Sequence, residues 1–244
     1  MLKSVNDLSE FNGLNSSPFT AKIQALYKTY GNNHRFADFW IQNSDTAVCS
    51  VDGNLTIECT QNSDFDELRQ FLYCIPFNSI SVDEKYCQML KLKPFSSSYI
   101  VKYTGKTDNN IIGTDNNYKA VYNLLIESGF EIGDYYSFLS DFVSRINSGC
   151  AALSSLYVDS ILAATASALF IGEKDVLLGA VATDKSFRGR GYAPELVSSL
   201  ASYYAKNKSV FLFCREDSLA VFYKKCGFSV TGRWSQIKNG NDNE

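Results

Sequence analysis

Histidine is almost missing from this chain: His34 is the only one among 244 residues. A histidine-rich metal site is thereby excluded, no metal is expected, and a nucleophilic serine or cysteine would have a single imidazole available as base. The seven cysteines, at 49, 59, 74, 87, 150, 214 and 226, stand singly, with no C-x-x-C pair and an odd total. Neither a disulfide scaffold nor a cysteine metal cluster fits that usage, so the thiols read as buried apolar groups. Long apolar runs are also lacking; none reaches the ~18 residues a membrane-spanning helix requires, so no membrane partner is expected. The opening residues "MLKSVNDLSEFNGLNSSPF" place no basic stretch before a continuous apolar one. No secretory signal is expected from them, and a cytoplasmic location is. Positive charge is not in excess, since 23 Lys+Arg face 26 Asp+Glu for a net charge of −3. A nucleic-acid partner, which calls for a basic stripe against phosphates, is therefore not expected.

What the chain does have is apolar material, 45% of residues with 14% aromatic, enough for one large core or two smaller ones. The polar stretch "TGKTDNNIIGTDNN" (104 to 117) is rich in turn-forming residues and predicts a boundary, giving an N-terminal α/β domain over 1–110 and a second domain over 111–244. Before it, "PFTAKIQALYKTYG" carries helical periodicity and ends in glycine. "FADFWIQN", "TAVCSVDG" and "NLTIECTQ" read as strands, the last two joined by the tight-turn dipeptide Asp52-Gly53. "DFDELRQFLYCI" reads as a helix capped by Asp64 with Glu67 three residues on, and "SSYIVKYTG" as a strand. After the boundary come two helices, "NYKAVYNLLIESGF" and "YYSFLSDFVSRINSG". Three strands follow, "CAALSSLYVD", "ILAATASALFIGE" and "DVLLGAVATD". Then come a helix from about Pro194 to Asn207, the strand "VFLFC", the short helix "SLAVFYKKC" and "FSVTGRWSQI", a strand pair or one bulged strand. Both halves run helix then strands, which hints at duplication, although no residue motif repeats between them.

One stretch stands apart. "SFRGRGYAPELV" (186 to 197) packs Arg188, Gly189, Arg190 and Gly191 against the start of an amphipathic helix, after a strand apolar enough to be buried. Backbone N–H groups free at a helix start, the positive end of its dipole, glycines that permit close approach and two arginines together make an anion site suited to a diphosphate. The loop is neither G-x-x-x-x-G-K-[ST] nor G-x-G-x-x-G, which sets aside the usual nucleoside triphosphate and dinucleotide loops. What remains is R-x-x-G-x-A, read from Arg188, Gly191 and Ala193.

That pattern, in "VATDKSFRGRGYAPELVSSLA", resembles motif A of the GCN5-related N-acetyltransferases (GNAT), and "FYKKCGF" (222 to 228) resembles their motif B. The resemblance covers roughly 115 to 235. It implies a mixed, mostly antiparallel sheet flanked by helices, the acyl-CoA N-acyltransferase fold, with the N-terminal region as a degenerate second copy. It implies acetyl-coenzyme A as acetyl donor and a primary amine on a small molecule or peptide as acceptor, in a monomer or a homodimer. By the same resemblance Val181, Ala182 and Thr183 would pair with the pantetheine amides. Gly189, Arg190, Gly191, Tyr192, Ala193 and Pro194 would wrap the diphosphate, with Arg188 holding loop or phosphate. Tyr223 would protonate the departing thiolate, with Lys224 and Lys225 placed to lower its pKa, and Ser218 or Glu216 would stand where relatives carry a cofactor-binding asparagine. The chain departs from the family on the strand before motif B, where Phe211 or Phe213 replaces the usual glutamate base. Glu216, Asp217, Asp184 or a water chain are left as candidate bases, and a non-catalytic acyl-coenzyme A sensor or interaction module is the competing reading.

Overall fold

The computed structural model describes residues 1–31, 34–107 and 115–239. The expected boundary at 110/111 lies outside the described residues. A single sheet of eleven strands runs in the order β1-β2-β3-β4-β5-β11-β6-β10-β9-β8-β7. Its first wing comprises β1 (Lys3–Ser4), β2 (Ala37–Gln42), β3 (Thr46–Val51), β4 (Asn54–Glu58) and β5 (Ser79–Asp83). The second comprises β7 (Ala152–Val158), β8 (Ile161–Ile171), β9 (Asp175–Thr183) and β10 (Ser209–Cys214). Between them lie β6 (Ser96–Tyr103) and β11 (Phe228–Lys238), paired antiparallel with each other.

The order is close to palindromic. Inward from β2, two antiparallel pairings lead to the parallel pair β4–β5; inward from β7, two lead to the parallel pair β9–β10. Each parallel pair is spanned by a crossover helix, α2 (Phe65–Cys74) or α5 (Tyr192–Tyr204). The two central strands are exchanged: β11 pairs with β5 of the first wing, and β6 with β10 of the second. The shared helix-then-strands order thus corresponds to two similar halves of one sheet.

Ile100 of β6 faces Gly232 of β11, so alternation along each strand assigns the faces. Val101 belongs to the cluster under α5, and Ile237 to the cluster under α2, which puts both crossover helices on one face. Ile100 and Trp234 point the other way, toward α1 (Pro18–Tyr30). The helices α3 (Tyr118–Glu127) and α4 (Tyr135–Asn147) share α1's face. The short α6 (Asp217–Lys225) contributes Tyr223 to the α5 side, joined there by Cys226 just past its end.

Local chemistry explains the elements. Ser17 caps α1 by accepting from the Thr20 N–H, Pro18 takes the first helical position, and Gly31 ends the helix at φ 54°. Asp52 and Gly53 both sit at positive φ, as a two-residue hairpin of this hand requires. Asp64 caps α2, but the return bond of a capping box is not made: Glu67 instead accepts from Leu2 N and Gln42 Nε2. "FSVTGRWSQI" is one strand with a bulge between Val230 and Gly232, and α5 starts at Tyr192, two residues before the expected proline. Sequence reasoning passed over β5, whose only apolar residues are Ile80 and Val82. Arg145 of α4 is charged yet only 6% exposed; it pairs with Asp141, donates to the Leu169 carbonyl at 2.5 Å, and lies 4.8 Å from the Phe170 ring. Cys74 departs from the other six cysteines in being exposed.

The start of α1 ties the wings together. Ser16 Oγ donates to Asp175 at the foot of β9, and Ser17 Oγ donates to Glu58 at the end of β4, both at 2.5 Å. Both carboxyls are buried, and burial raises both pKa values, that of Glu58 to about 8. A carboxyl with a raised folded pKa holds its proton longer than in the unfolded chain. The stability it contributes is full below about pH 4.5 and is lost as pH rises through about 8. Calorimetric Tm values are therefore expected to fall between pH 5 and pH 9, and to fall less in Glu58→Gln; an equal fall in the two proteins would show that this carboxyl is not proton-linked to folding.

Candidate functional site

The parallel pairing of β9 with β10 stops at Leu178–Leu212. Beyond it β9 carries a bulge: Ala180 and Val181 together oppose the single residue Ala166 of β8, with Ala180 at φ 50°. The extra residue turns the strand away from β10, and the residues from Gly179 to Thr183 keep β8 on one edge but have no strand on the other. Val181 leans on the α5 side, while Ala182 packs under α3 and α4. The open edge offers backbone N–H and C=O groups to an extended ligand, as an exposed sheet edge does to a peptide. Val181, Ala182 and Thr183 are on it.

The arginine-glycine loop follows directly. Asp184 caps a single 3-10 turn (Lys185–Phe187) and Arg188 Nε donates to the Thr183 carbonyl at 3.2 Å, so this arginine braces the loop against β9. Gly189 and Gly191 adopt φ 77° and 86°, and a Cβ added to either would meet nothing within 4 Å. Backbone conformation thus requires glycine there while the space in front stays open. Gly191 is the N-cap of α5 and supplies no side-chain acceptor, in contrast to Asp64 on α2. The N–H groups at Tyr192 and Ala193 therefore face outward beside the exposed Arg190, whose guanidinium stacks 5.4 Å from the Phe187 ring, and Pro194 has no N–H to satisfy. Geometry brings Arg188 through Pro194 together with the open edge of β9.

Tyr223 lies on the same face, 6% exposed, in contact with the ring of Phe228 and close to Cys214 and Cys226. Burial, reinforced by the two thiols, raises its pKa above the ordinary 10. The expected help from Lys224 and Lys225 is absent: both point to solvent and neither enters the balance on the phenol. Ser218 sits on the exposed side of α6, bonded to Glu216 at 3.2 Å, outside the cluster around Tyr223. Asp217 accepts from Tyr99 Oη at 2.6 Å, and Asp184 is engaged as a cap.

The opposite face of the gap holds features that the sequence reading missed. Phe211 packs with Phe19, Ile100 and Leu177, and Phe213 stacks on Trp234 at 4.6 Å, so β10 presents aromatic rings where a carboxylate was sought. A cavity of about 400 Å³ opens here, walled by Phe19, Phe170, Phe213 and Trp234 with Lys22 as its one charged group. The Trp234 indole N–H is buried without a partner among the described residues, and burial lowers the Lys22 pKa. Alternation in "RWSQI" could have placed Trp234 on a buried face, but nothing local marks the strand it meets.

Among the described residues no cluster of three or more His, Cys, Asp or Glu could hold a metal, and no helix is long and apolar enough to cross a membrane.

A sheet splayed at a bulge, with an uncapped helix start facing the gap, defines the acyl-CoA N-acyltransferase fold. Residues 118–228 match the family model described as the acetyltransferase (GNAT) family, and this part of the chain is a GNAT domain. No curated protein matches the chain by sequence. Among solved structures, a tandem GNAT protein from the clavulanic acid biosynthesis pathway aligns over 100% of both chains at 11% identity, TM-score 0.60. An acetyltransferase of the GNAT family from Colwellia psychrerythraea aligns over 98% of this chain and 99% of its own at 12% identity, TM-score 0.56. A GCN5-related N-acetyltransferase from Kribbella flavida aligns over 80% and 87% at 13% identity, TM-score 0.59. At such identities the likeness is one of fold, and the tandem protein extends it across both wings.

The bulge carries a prediction. Glycine normally weakens a strand, but at φ 50° it relieves strain of about 1 kcal/mol. Ala180→Gly is expected to raise the urea midpoint or leave it unchanged, whereas Ala182→Gly lowers it; equal losses would mean the positive φ at 180 is not formed.

Proposed function

We propose that the protein is an N-acetyltransferase that moves the acetyl group of acetyl-coenzyme A onto a primary amine by direct attack. The observation that carries this reading is the uncapped start of α5 behind two glycines with open space before them, continuous with the unpaired edge of β9. A diphosphate fits the donors at Gly189–Ala193, with Arg190 adding charge, and pantetheine amides fit the backbone of Val181–Thr183. The thioester then reaches the gap between β9 and β10, beside Cys214 and Tyr223. The acceptor enters from the other face, through the aromatic groove at Phe213 and Trp234, and attacks across the gap. Held in line, the two reactants need no covalent enzyme intermediate.

Tyr223 serves the departing thiolate as a hydrogen-bond donor. A phenol held above pKa 10 is a poor source of a whole proton for a thiol near 8.5, so solvent completes protonation. The amine's own proton leaves by water, because the groove walls carry no carboxylate.

Two observations favour a second reading, a sensor that binds acyl-coenzyme A without turning it over: aromatic rings in place of a carboxylate on β10, and the raised phenol pKa. Thiol release from acetyl-coenzyme A with a panel of primary amines separates the readings, since a sensor binds and releases nothing. For the transferase, Tyr223→Phe is expected to slow thiol release about 10- to 100-fold with Tm nearly unchanged, because the hydroxyl makes no hydrogen bond among the described residues. Gly191→Ala, which forces a Cβ to φ 86°, is expected to weaken coenzyme A at least about tenfold by calorimetry. Undiminished affinity in Gly191→Ala would rule out both readings.

A further inference from the structure

The first wing repeats the divergence of the second. Parallel pairing of β4 with β5 stops at Thr56–Ser81, and beyond it the strands separate around a cavity of about 350 Å³ on the α1 face. Its chemistry differs from that of the aromatic groove. The helix entrance above β4 is closed to phosphate: Asp64 already caps α2, Asp66 and Glu67 add negative charge, and Asp45 is bonded to Thr60. The helix start that a second diphosphate would use is thus already capped.

Inside the cavity one ammonium has no ion-pair partner among the described residues, and one carboxyl is kept protonated by burial until a cation beside it draws the proton off. Asp83 and Lys85 pair with each other at 2.9 Å. Glu58 is 6% exposed, bonded to Ser17, and makes no ion pair among the described residues. Lys102, from β6, lies 5.3 Å over the Phe211 ring and likewise makes no ion pair among them. The two stand on different strands, with β5 and β11 between them in the sheet, and the wall they share is formed by Phe19, Phe211 and Tyr86. One buried carboxyl, one ammonium and aromatic faces within a few hundred Å³ are complementary to a molecule carrying both charges on a small apolar body.

We infer that this cavity is a second ligand site, for a zwitterionic molecule of the amino-acid class, whose ammonium meets Glu58, whose carboxylate meets Lys102 and whose apolar side chain lies against Phe211 and Phe19. The site is independent of the acyl-coenzyme A reading, because it shares no residue with the α5 loop or the open edge of β9.

Isothermal titration of the full chain tests it with leucine and phenylalanine, their amides, which lack the carboxylate, and the corresponding deaminated acids. The expected result is binding of the zwitterions, weakened at least tenfold by loss of either charge. Glu58→Gln is expected to abolish the penalty for losing the ammonium, and Lys102→Met the penalty for losing the carboxylate. Coenzyme A binding in both variants should match wild type, which also reports that they are folded. The inference is overturned if no zwitterion binds wild type, or if binding persists unchanged in both variants.

Discussion

The hydrogen-bond ladder between β6 and β11 is the constraint on which the other features depend. Each of these strands completes the wing that is not its own, so neither parallel pair has a finished neighbour without the other half of the chain. The exchange fixes the position of β10, and with it the gap into which β9 cannot follow. It also puts α1, which belongs to the first wing by sequence, over Leu177 and Phe211 of the second. The groove on the α1 face is thus a joint product of both wings, although only one of them carries the loop suited to diphosphate.

Comparison of the two divergences shows how one geometry is given different chemistry. After β9 come glycines at positive φ, arginines and an uncapped helix; after β4 come hydroxyls and a carboxylate that caps its helix. The backbone paths are alike, and the anion preference is reversed by a few side chains. Cavity walls differ in the same manner, with rings and a lone lysine on one side and a mixed set of charges on the other.

Much of this was legible in the sequence, and the misses have identifiable causes. Helices α1 to α6 and nine of the eleven strands follow from periodicity and turn chemistry, because their apolar residues repeat at 3.6 or 2 and are bounded by glycine or capping residues. The two missed strands are a two-residue edge strand and one with only two apolar residues, which carry too little pattern. The arginine-glycine loop was visible because glycine at positive φ is a local requirement. Pairing is not local: nothing in "SSYIVKYTG" says that it lies between β10 and β11. The burial of Arg145 and Glu58 is not legible for the same reason, since a charged residue declares its burial only when partners distant in sequence, Leu169 and Ser17, come to meet it.

The strand exchange also governs the order in which the molecule can be assembled. During synthesis residues 96–103 leave the ribosome long before residues 228–238, yet the first wing gains its last neighbour only when the later strand arrives. Until then β5 presents an unpaired edge, and its own following strand has no partner beside it. Maturation of the first wing is thus postponed until β11 has been made, and the chain before that point is the stage most exposed to wrong association.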